Sequence, residues 1–325
     1  MSASSVQPPQ EELLMTSLIT LRVLLSTDKA HVTIVCLNPA HTDDAALAVV
    51  VEEREEERHS SPQCFVAKTY KTVPSSQFGS EFMMKHVVSR YMRERCVLAR
   101  CLRHPNIVKL HRMSLVGADD ELLSTDTALP LPSLLPSFHQ QNSDVALRPI
   151  YLELMELGSL KDVCSKLRLR PNMTRDILCS FAKAVAVPCL VGLRHLHSMQ
   201  LIHRDVKPEN ILLSRSGVVQ WCDFDSCSFD NPETVDVGTK GYSAPEMRLN
   251  AGEMYTEKID LWGMGCVLYW VVLGGDMSTR RDFDLDAIPD VELRDLLRRL
   301  LETDPDRRDN ARDALLHEAL CPTLY

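Results

Sequence analysis

The stretch that decides the fold runs from position 203 to position 213 and reads His203-Arg204-Asp205-Val206-Lys207-Pro208-Glu209-Asn210-Ile211-Leu212-Leu213. Its Asp and Asn are five positions apart, and three apolar residues typical of a strand follow them. One interpretation is a turn that only leads into an apolar strand. Seven specified residues in a run of eight would, however, arise by chance on the order of once in a billion positions at average residue usage. The run therefore indicates a functional loop.

This stretch resembles the catalytic loop of the protein kinases, H-R-D-x-x-x-x-N. Phosphoryl transfer needs little covalent chemistry and much positioning, because charge spreads over the oxygens of the moving group. The resemblance implies that Asp205 orients the proton of the attacking hydroxyl, Lys207 holds the γ-phosphate and Asn210 binds Mg2+. A Lys two residues after the Asp is typical of serine/threonine kinases, so a Ser or Thr acceptor is implied. The implied fold is α+β: the two-lobed protein-kinase fold, with a small β-rich N-lobe and a larger helical C-lobe.

A second run, Gly238-Thr239-Lys240-Gly241-Tyr242-Ser243-Ala244-Pro245-Glu246, matches the motif G-T-x-x-Y-x-A-P-E. This motif ends the activation segment of serine/threonine kinases. In that family the Thr bonds the catalytic Asp and Lys, so the resemblance implies that Thr239 bridges Asp205 and Lys207. The motif argues against the small-molecule kinases, which share the base and metal positions.

The resemblance also implies contacts that hold the C-lobe together. Glu246 is expected to form a buried ion pair with Arg308, and Asp260 is expected to brace the backbone of the catalytic loop. Arg204 would pair with a phosphate on the activation segment, for which Thr234 is the nearest acceptor. Asp260 and Arg308 are only 48 positions apart. The helix that often carries substrates or partners in kinases is therefore expected to be shortened or lost.

Asp223-Phe224-Asp225 stands where the family has D-F-G. The resemblance implies that Asp223 binds Mg2+ and that Phe224 is a packing anchor. An Asp at the third position restricts the loop, although Asp tolerates unusual backbone angles better than most residues, and it adds a negative charge near the metal. Cys222 is either a reactive thiol that faces the nucleotide or an inert packed side chain.

The segment Cys64–Tyr70 is predicted to be a strand. The resemblance implies that Lys68 in this strand holds the α- and β-phosphates of ATP. A helix predicted over 80–103 would supply the carboxylate that pairs with this Lys, and Glu94 is the candidate. Arg95 occupies the position that the family's usual spacing gives to the Glu. Glu94 is therefore either the partner of Lys68 or a solvated surface residue.

Glycine is scarce, at 12 of 325 residues against about 7% on average. Aligning Val32 with the Val of the kinase phosphate loop, G-x-G-x-x-G-x-V, puts Leu25, Thr27 and Ala30 at the glycine positions. Glycine lets backbone amides approach a phosphate, because no Cβ intervenes. The N-lobe is therefore expected to diverge from the family, with weak or altered phosphate cover by this loop.

The apolar pattern predicts further elements. Leu13 to Val35 indicates one or two strands with a break at 26–29. A long helix is predicted from Asp176 to His197, and Pro188 inside it should kink the helix or break it early.

Ile150 to Leu154 is predicted to be a strand, and it leads into a segment that resembles a kinase hinge. The resemblance implies that Leu152 is the gatekeeper. It also implies that the backbone of Glu153 and Met155 faces the adenine of ATP.

The resemblance implies one kinase domain after a short polar terminus. Two segments are predicted to be insertions in the N-lobe. The charged one is a solvated loop, a short helix or a binding tail, and the one rich in Pro, Ser, Gln and Asn is a partly disordered loop. The predicted ranges are a disordered terminus at 1–12, a kinase domain at 13–322, an N-lobe at 13–153 with insertions at about 38–63 and 112–148, and a C-lobe at 154–322.

Composition limits the partners and the compartment. The net charge of −9 disfavours nucleic acid and anionic membranes, and it favours a basic substrate surface. The longest apolar run, Leu261–Leu273, is too short to span a bilayer, so it predicts a buried helix and no membrane span. Eleven Cys without zinc-site spacing, and no signal-peptide pattern, predict reduced thiols and a cytoplasmic protein.

Two hypotheses about function remain open at this point. The first is an active serine/threonine kinase that uses ATP and Mg2+ on a protein substrate, with an upstream kinase or a regulatory protein as further partners. The second is a pseudokinase scaffold or allosteric partner, because the phosphate loop lacks glycine and the metal motif reads D-F-D. Three short runs loosely resemble the AGC kinases, especially phosphoinositide-dependent kinase: Arg93-Glu94-Arg95, Val237-Gly238-Thr239 and Asp260-Leu261-Trp262.

Overall fold

The computed structural model of the chain describes residues 18–26, 29–37, 64–71, 80–101, 104–111, 147, 149–229, 238–249, 255–280 and 282–321. The predictions for residues 1–12, 38–63 and 112–146, and those for Thr27 and Thr234, lie outside these residues. The chain divides into two compact units. Unit 1 consists of Met1–Arg100 and Lys109–Leu154, and unit 2 consists of Cys101–Val108 and Met155–Tyr325.

Unit 1 contains a four-stranded antiparallel sheet, in the order β1-β2-β3-β4, and helix α1. The bounds are β1 Leu18–Ser26, β2 Ala30–Leu37, β3 Cys64–Tyr70, β4 Ile150–Glu153 and α1 Ser80–Arg100. The predicted break between the first two strands is confirmed, as are the bounds of β3. Runs of Val, Ile, Thr and aromatic residues fit a pleated, half-buried surface. Helix α1 ends three residues before the predicted end at position 103.

Strand β3 presents two different faces. Phe65 and Ala67 are buried on one face, and Lys68 and Tyr70 point to the other, because side chains alternate along a strand. Lys68 lies opposite Val32 of β2 in the ladder. The alternation therefore places Lys68 and Tyr70 on the same side of the sheet.

Unit 2 is mainly helical. Its helices are α2 Leu160–Arg168, α3 Arg175–Ser198, α4 Pro245–Leu249, α5 Lys258–Leu273, α6 Val291–Leu300 and α7 Ala311–Leu315. Its strands are β5 Gly158–Ser159, β6 Leu201–Ile202, β7 Ile211–Leu213, β8 Val219–Trp221 and β9 Ser228–Phe229. They form two small antiparallel sheets, β5-β7-β8 and β6-β9.

Helix α5 is the centre of unit 2 and is buried from Ile259 to Val272, as its uniformly apolar sequence predicts. Gly263 permits a close approach on this helix. A Cβ at this position would lie 2.8 Å from the side chain of Val206, in the predicted catalytic loop. The missing side chain thus lets the loop rest directly on α5.

Helix α3 runs without interruption from Arg175 to Ser198 with Pro188 inside it. The early break that Pro188 predicts is therefore wrong. By length and composition alone this helix could cross a membrane. Half of its most apolar window is buried inside unit 2, where the helix packs against α5 and α7, and the core helix of a soluble protein passes the same test.

The chain between α5 and α6 forms two short 3-10 turns, Met277–Thr279 and Leu285–Ala287. Among the residues described there, from 274 to 280 and from 282 to 290, no longer helix is present. This agrees with the predicted loss of the helix that often carries partners.

The sequence predicts that the cysteines are reduced thiols, and this prediction is wrong for Cys64. Cys64 at the start of β3 forms a disulfide. The residue opposite it in the β2–β3 ladder is Cys36. Among the residues that the structure describes, nine cysteines are free, and eight of these are buried or half-buried.

Candidate active site

The predicted catalytic loop of unit 2 forms a closed network of hydrogen bonds around Asp205. Lys207 Nζ lies 2.6 Å from Asp205 Oδ2 and donates to Thr239 Oγ1 at 3.0 Å. Thr239 Oγ1 in turn donates to Asp205 Oδ1 at 2.7 Å. The bridge that the resemblance implies for Thr239 is therefore present. Each carboxylate oxygen of Asp205 has a fixed donor, which sets its orientation.

Asn210 joins the same network through its amide nitrogen. Its Nδ2 donates to the main-chain oxygen of Asp205 at 2.8 Å and to Asp205 Oδ2 at 3.1 Å. Because the nitrogen makes both bonds, the Oδ1 atom is the one that Asn210 offers to a cation. Oxygen atoms of this kind are the ligands that Mg2+ prefers.

Asp260 holds the backbone of the loop, as the resemblance implies. Its buried carboxylate accepts hydrogen bonds from the amides of His203, at 2.8 Å, and Arg204, at 2.9 Å. Burial opposes its ionisation, but the hydrogen bond from His197 and the contacts with His203 outweigh this and hold the pKa of Asp260 below its ordinary value. Arg204 has a left-handed φ of +66°, a conformation that costs roughly 1 to 3 kcal/mol in a non-glycine residue. The Asp260 carboxylate provides the compensating bonds.

The electrostatics of the loop keep Lys207 charged. Burial favours the neutral amine, but the carboxylates of Asp205, Asp223 and Glu209 outweigh it and raise the pKa of Lys207 above its ordinary value. The side chain therefore carries the positive charge that a phosphate contact needs.

The D-F-D motif follows β8 directly. The amide of Cys222 donates to the main-chain oxygen of Asn210 at 3.0 Å, which ties Asp223 to the catalytic loop. Asp223 has a left-handed φ of +64°. Phe224 is fully buried, as expected of a packing anchor, and its ring centroid lies 5.3 Å from that of His203.

Asp225, the departure from the family motif, is buried and accepts a hydrogen bond from Ser226 Oγ at 2.9 Å. Cys222 is half-buried, so its reactive and inert interpretations both stay open.

The donor set of unit 2 fits a Mg2+ ion that is shared with phosphates. No group of three or more His, Cys, Asp or Glu side chains that could hold a metal occurs among the described residues. Mg2+ in phosphate-transfer sites is usually held by one or two carboxylates together with substrate phosphates and water. The carboxylate of Asp223 and the Oδ1 atom of Asn210 match that pattern.

In unit 1, Lys68 pairs with Glu94. Lys68 Nζ lies 2.9 Å from Oε1 and 2.7 Å from Oε2 of Glu94, which is 1% exposed. The alternative of a solvated surface Glu is therefore wrong. Arg95, the competing position, donates instead to the hydroxyl of Tyr91 at 3.1 Å. Helix α1 turns Glu94 toward β3, although the family's usual spacing places its Glu at the position that Arg95 occupies here.

The hinge residues lie where the chain passes from unit 1 to unit 2. Leu152 is buried in β4, and the amide of Glu153 donates to the main-chain oxygen of Lys109 at 3.0 Å. The carbonyl of Met155 accepts from the amide of Gly158 at 3.1 Å.

The predicted phosphate loop is described only in part. Val32 is half-buried in β2, opposite Leu25 of β1 and Lys68 of β3. Ala30, at one of the glycine positions, is buried.

The ion pair implied between Glu246 and Arg308 is present and bidentate, with N–O distances of 2.7 and 3.1 Å. Arg308 is 1% exposed, and its guanidinium lies 5.1 Å from the ring centroid of Trp262. Arg204 donates from Nε to the main-chain oxygen of Ser226 at 2.5 Å.

Sequence reasoning missed two contacts. Tyr70 donates a hydrogen bond to Glu94, and the two-residue alternation of β3 could have indicated it, because Tyr70 shares a face with Lys68. Lys161 Nζ lies 2.7 Å from Glu209 Oε1, on an exposed surface. No pattern in the sequence links these last two positions, which are 48 residues apart.

Comparison with known proteins agrees with this geometry. The family described as "Protein kinase domain" matches residues 58–320. A probable serine/threonine-protein kinase of Encephalitozoon cuniculi is 40% identical over 134 residues, which cover 40% of this chain and 24% of the relative. The serine/threonine-protein kinase ste20 of Aspergillus fumigatus is 31% identical over 201 residues, with coverages of 54% and 23%.

An Aurora kinase of Schizosaccharomyces pombe is 26% identical over 262 residues, which cover 76% of this chain and 69% of the relative. The chain thus spans about a quarter of the length of the first two relatives and about two thirds of the third.

Proposed function

Because this chain belongs to the protein kinase family, we propose that it transfers the γ-phosphate of ATP to Ser or Thr hydroxyls of a protein substrate. The observation that carries the proposal is the closed network of Asp205, Lys207 and Thr239. A lysine that reaches both the Asp and the Thr fits a serine/threonine kinase.

The network accounts for the chemical step. Asp205 takes up or orients the proton of the substrate hydroxyl, whose oxygen forms a new bond to the γ-phosphorus while the bond to the β-phosphate oxygen breaks. The three donors on Asp205 fix its carboxylate before the substrate arrives, so no reorganisation is needed during the reaction. The charged Lys207 balances negative charge on the moving phosphoryl group.

The other site residues take supporting roles in this proposal. Asn210 and Asp223 would hold Mg2+, which neutralises charge on the phosphates when it is bound. Lys68, held by Glu94, binds the α- and β-phosphates. The remaining cofactor contacts follow from the resemblance: Leu152 would be the gatekeeper, the backbone of Glu153 and Met155 would face the adenine, and Val32 would belong to the phosphate loop.

The scaffold hypothesis receives less support. Its basis is the missing glycine at Ala30 and neighbouring positions, together with Asp225 of the D-F-D motif. Asp225, however, is buried and bonded to Ser226. The groups that touch charge in the transition state are all retained, and electrostatic stabilisation by such groups is usually the largest catalytic contribution.

The direct test is transfer of radiolabelled γ-phosphate from Mg-ATP to casein, myelin basic protein and the protein itself. Asp205→Ala is the matched variant, and it should abolish incorporation while the protein stays folded. Incorporation at the Asp205→Ala level, together with no thermal shift from Mg-ATP, would contradict the kinase proposal and favour the scaffold.

We also infer the extent of the domain and the kinase group. The kinase domain is assigned to residues 13–322, of which 58–320 match the family.

Placement near the AGC kinases rests on the three short runs given above. A screen of peptides with Arg before the acceptor would test it, since basophilic kinases use an acid at the position of Glu209. The contact with Lys161 competes for that carboxylate.

Cytoplasmic location is supported by the nine free cysteines and opposed by the disulfide of Cys64. Fluorescence microscopy of the tagged chain tests it. An upstream kinase acting on Thr234, or a regulatory protein, is the partner that the family suggests. Mass spectrometry of the phosphorylated protein tests the first of these.

A further inference from the structure

Glu94 binds more than the lysine that the sequence predicts. Its carboxylate also accepts a hydrogen bond from the hydroxyl of Tyr70, whose residue is 4% exposed. Tyr70 follows Lys68 by two positions in β3, so both side chains reach α1 from the same face of the strand. One buried carboxylate therefore links two neighbouring positions of β3 to the helix.

The ring of Tyr70 makes a second contact with the same helix. It packs edge to face against Tyr91, with ring centroids 5.7 Å apart and planes at 81°. Tyr91 precedes Glu94 by three positions, so the two residues share a face of α1. Tyr91 is itself held by Arg95, whose guanidinium lies 5.5 Å from its ring centroid. Tyr70 thus contacts α1 at two points about one turn apart, which restrains the helix from rotating and from sliding along β3.

The hydroxyl of Tyr70 makes displacement of Glu94 costly. A hydrogen bond to an ionised acceptor is stronger than one between neutral groups. If Glu94 moved away from β3, the Tyr70 hydroxyl and the Lys68 ammonium would both lose this acceptor, and little water reaches either group to replace it. The tyrosine therefore favours the arrangement in which Lys68 and Glu94 are paired.

We propose that Tyr70 is a positioning residue that acts through Glu94 to fix Lys68 and to hold α1 in the paired arrangement without an activating partner. A firmly held Lys68 would carry more of the phosphate binding in a chain whose β1–β2 turn has no glycine at the aligned positions. Only this consequence for nucleotide binding rests on the proposed kinase function. The restraint on α1 is a property of unit 1 itself.

The test compares Tyr70→Phe with the control Tyr151→Phe in the full chain. Tyr70→Phe keeps the ring and its contact with Tyr91 and removes only the hydroxyl. Tyr151 is a buried tyrosine of the neighbouring strand β4. Hydrogen exchange of α1 amides should become about tenfold faster in Tyr70→Phe, because a hydrogen bond to a charged group is lost. Exchange of the α5 amides in Tyr70→Phe, and exchange of the α1 amides in the control Tyr151→Phe, should match the wild type.

A second measurement separates positioning from a general loss of stability. The Kd for Mg-ATP should rise about tenfold in Tyr70→Phe, and less than about twofold when the same change is made in a Glu94→Gln background, because coupled residues are not additive. A tyrosine that contributed only to stability would give the same change in both backgrounds.

The outcomes distinguish this inference from the kinase proposal. Unchanged α1 exchange in Tyr70→Phe, or equally faster exchange throughout the chain, would overturn the positioning role. Faster exchange confined to α1, in a protein that binds Mg-ATP but transfers no phosphate to any substrate, would support the positioning role and contradict the kinase function.

Discussion

At the scale of single residues, Thr239 closes the network around Asp205, since its hydroxyl accepts from Lys207 and donates to the carboxylate. Thr239→Val preserves the branched shape and removes both bonds. We expect kcat to fall by about 10- to 100-fold with little change in the Kd for Mg-ATP, because a hydrogen bond to a charged group contributes roughly 1.5 to 3 kcal/mol. Steady-state kinetics beside Thr303→Val, an exposed threonine in unit 2, provide the measurement and its control. An unchanged kcat would show that Lys207 and Asn210 orient Asp205 without Thr239.

At the scale of elements, Asp260 connects helix α5 to the catalytic loop through the main-chain amides of His203 and Arg204, and to helix α3 through His197. Asp260→Asn replaces an ionised acceptor by an amide, so we expect unit 2 to lose about 3 kcal/mol of stability at neutral pH. The pKa of Asp260 is lowered in the folded state. Its contribution is therefore complete above the unfolded pKa of about 4 and is lost as the pH falls further.

Urea unfolding of the wild type and of Asp260→Asn between pH 7 and pH 3 measures this dependence. The difference between the two proteins should be constant down to a pH of about 5 and should shrink below about 4. Asp306→Asn, at an exposed position, is the control and should follow the wild type. A difference that grows toward low pH would contradict the role of the ionised carboxylate.

At the scale of the whole molecule, the net charge of −9 favours substrates with basic surfaces through long-range attraction. Salt screens such attraction over about 8 Å at physiological ionic strength. We therefore expect the KM for myelin basic protein to rise several-fold between low and physiological salt, and the KM for casein, an acidic substrate, to stay level or fall. Initial rates at several salt concentrations test this. A parallel rise for both substrates would point to a salt effect on the enzyme itself.

Contiguous motifs in this chain are readable without a structure. The roles implied for Asp205, Lys207 and Thr239 follow from short runs whose spacing is characteristic, and the bounds of β3 follow from its local apolar pattern. Such features depend on neighbours in the chain, so residue order is enough to specify them.

Other features depend on how one element packs on another. Whether Glu94 or Arg95 meets Lys68 is decided by the rotation of α1 against β3, which no residue count specifies. The hydrogen bond of Tyr70 to Glu94 likewise joins groups from two different elements. The burial of Asp225 also depends on packing, because it turns a polar side chain toward the interior. Pro188 predicts either a kink or an early break, and the break does not occur, because α3 continues through this residue. The sequence thus establishes the chemistry that the site can perform, whereas tertiary packing decides which side chains hold that chemistry in place.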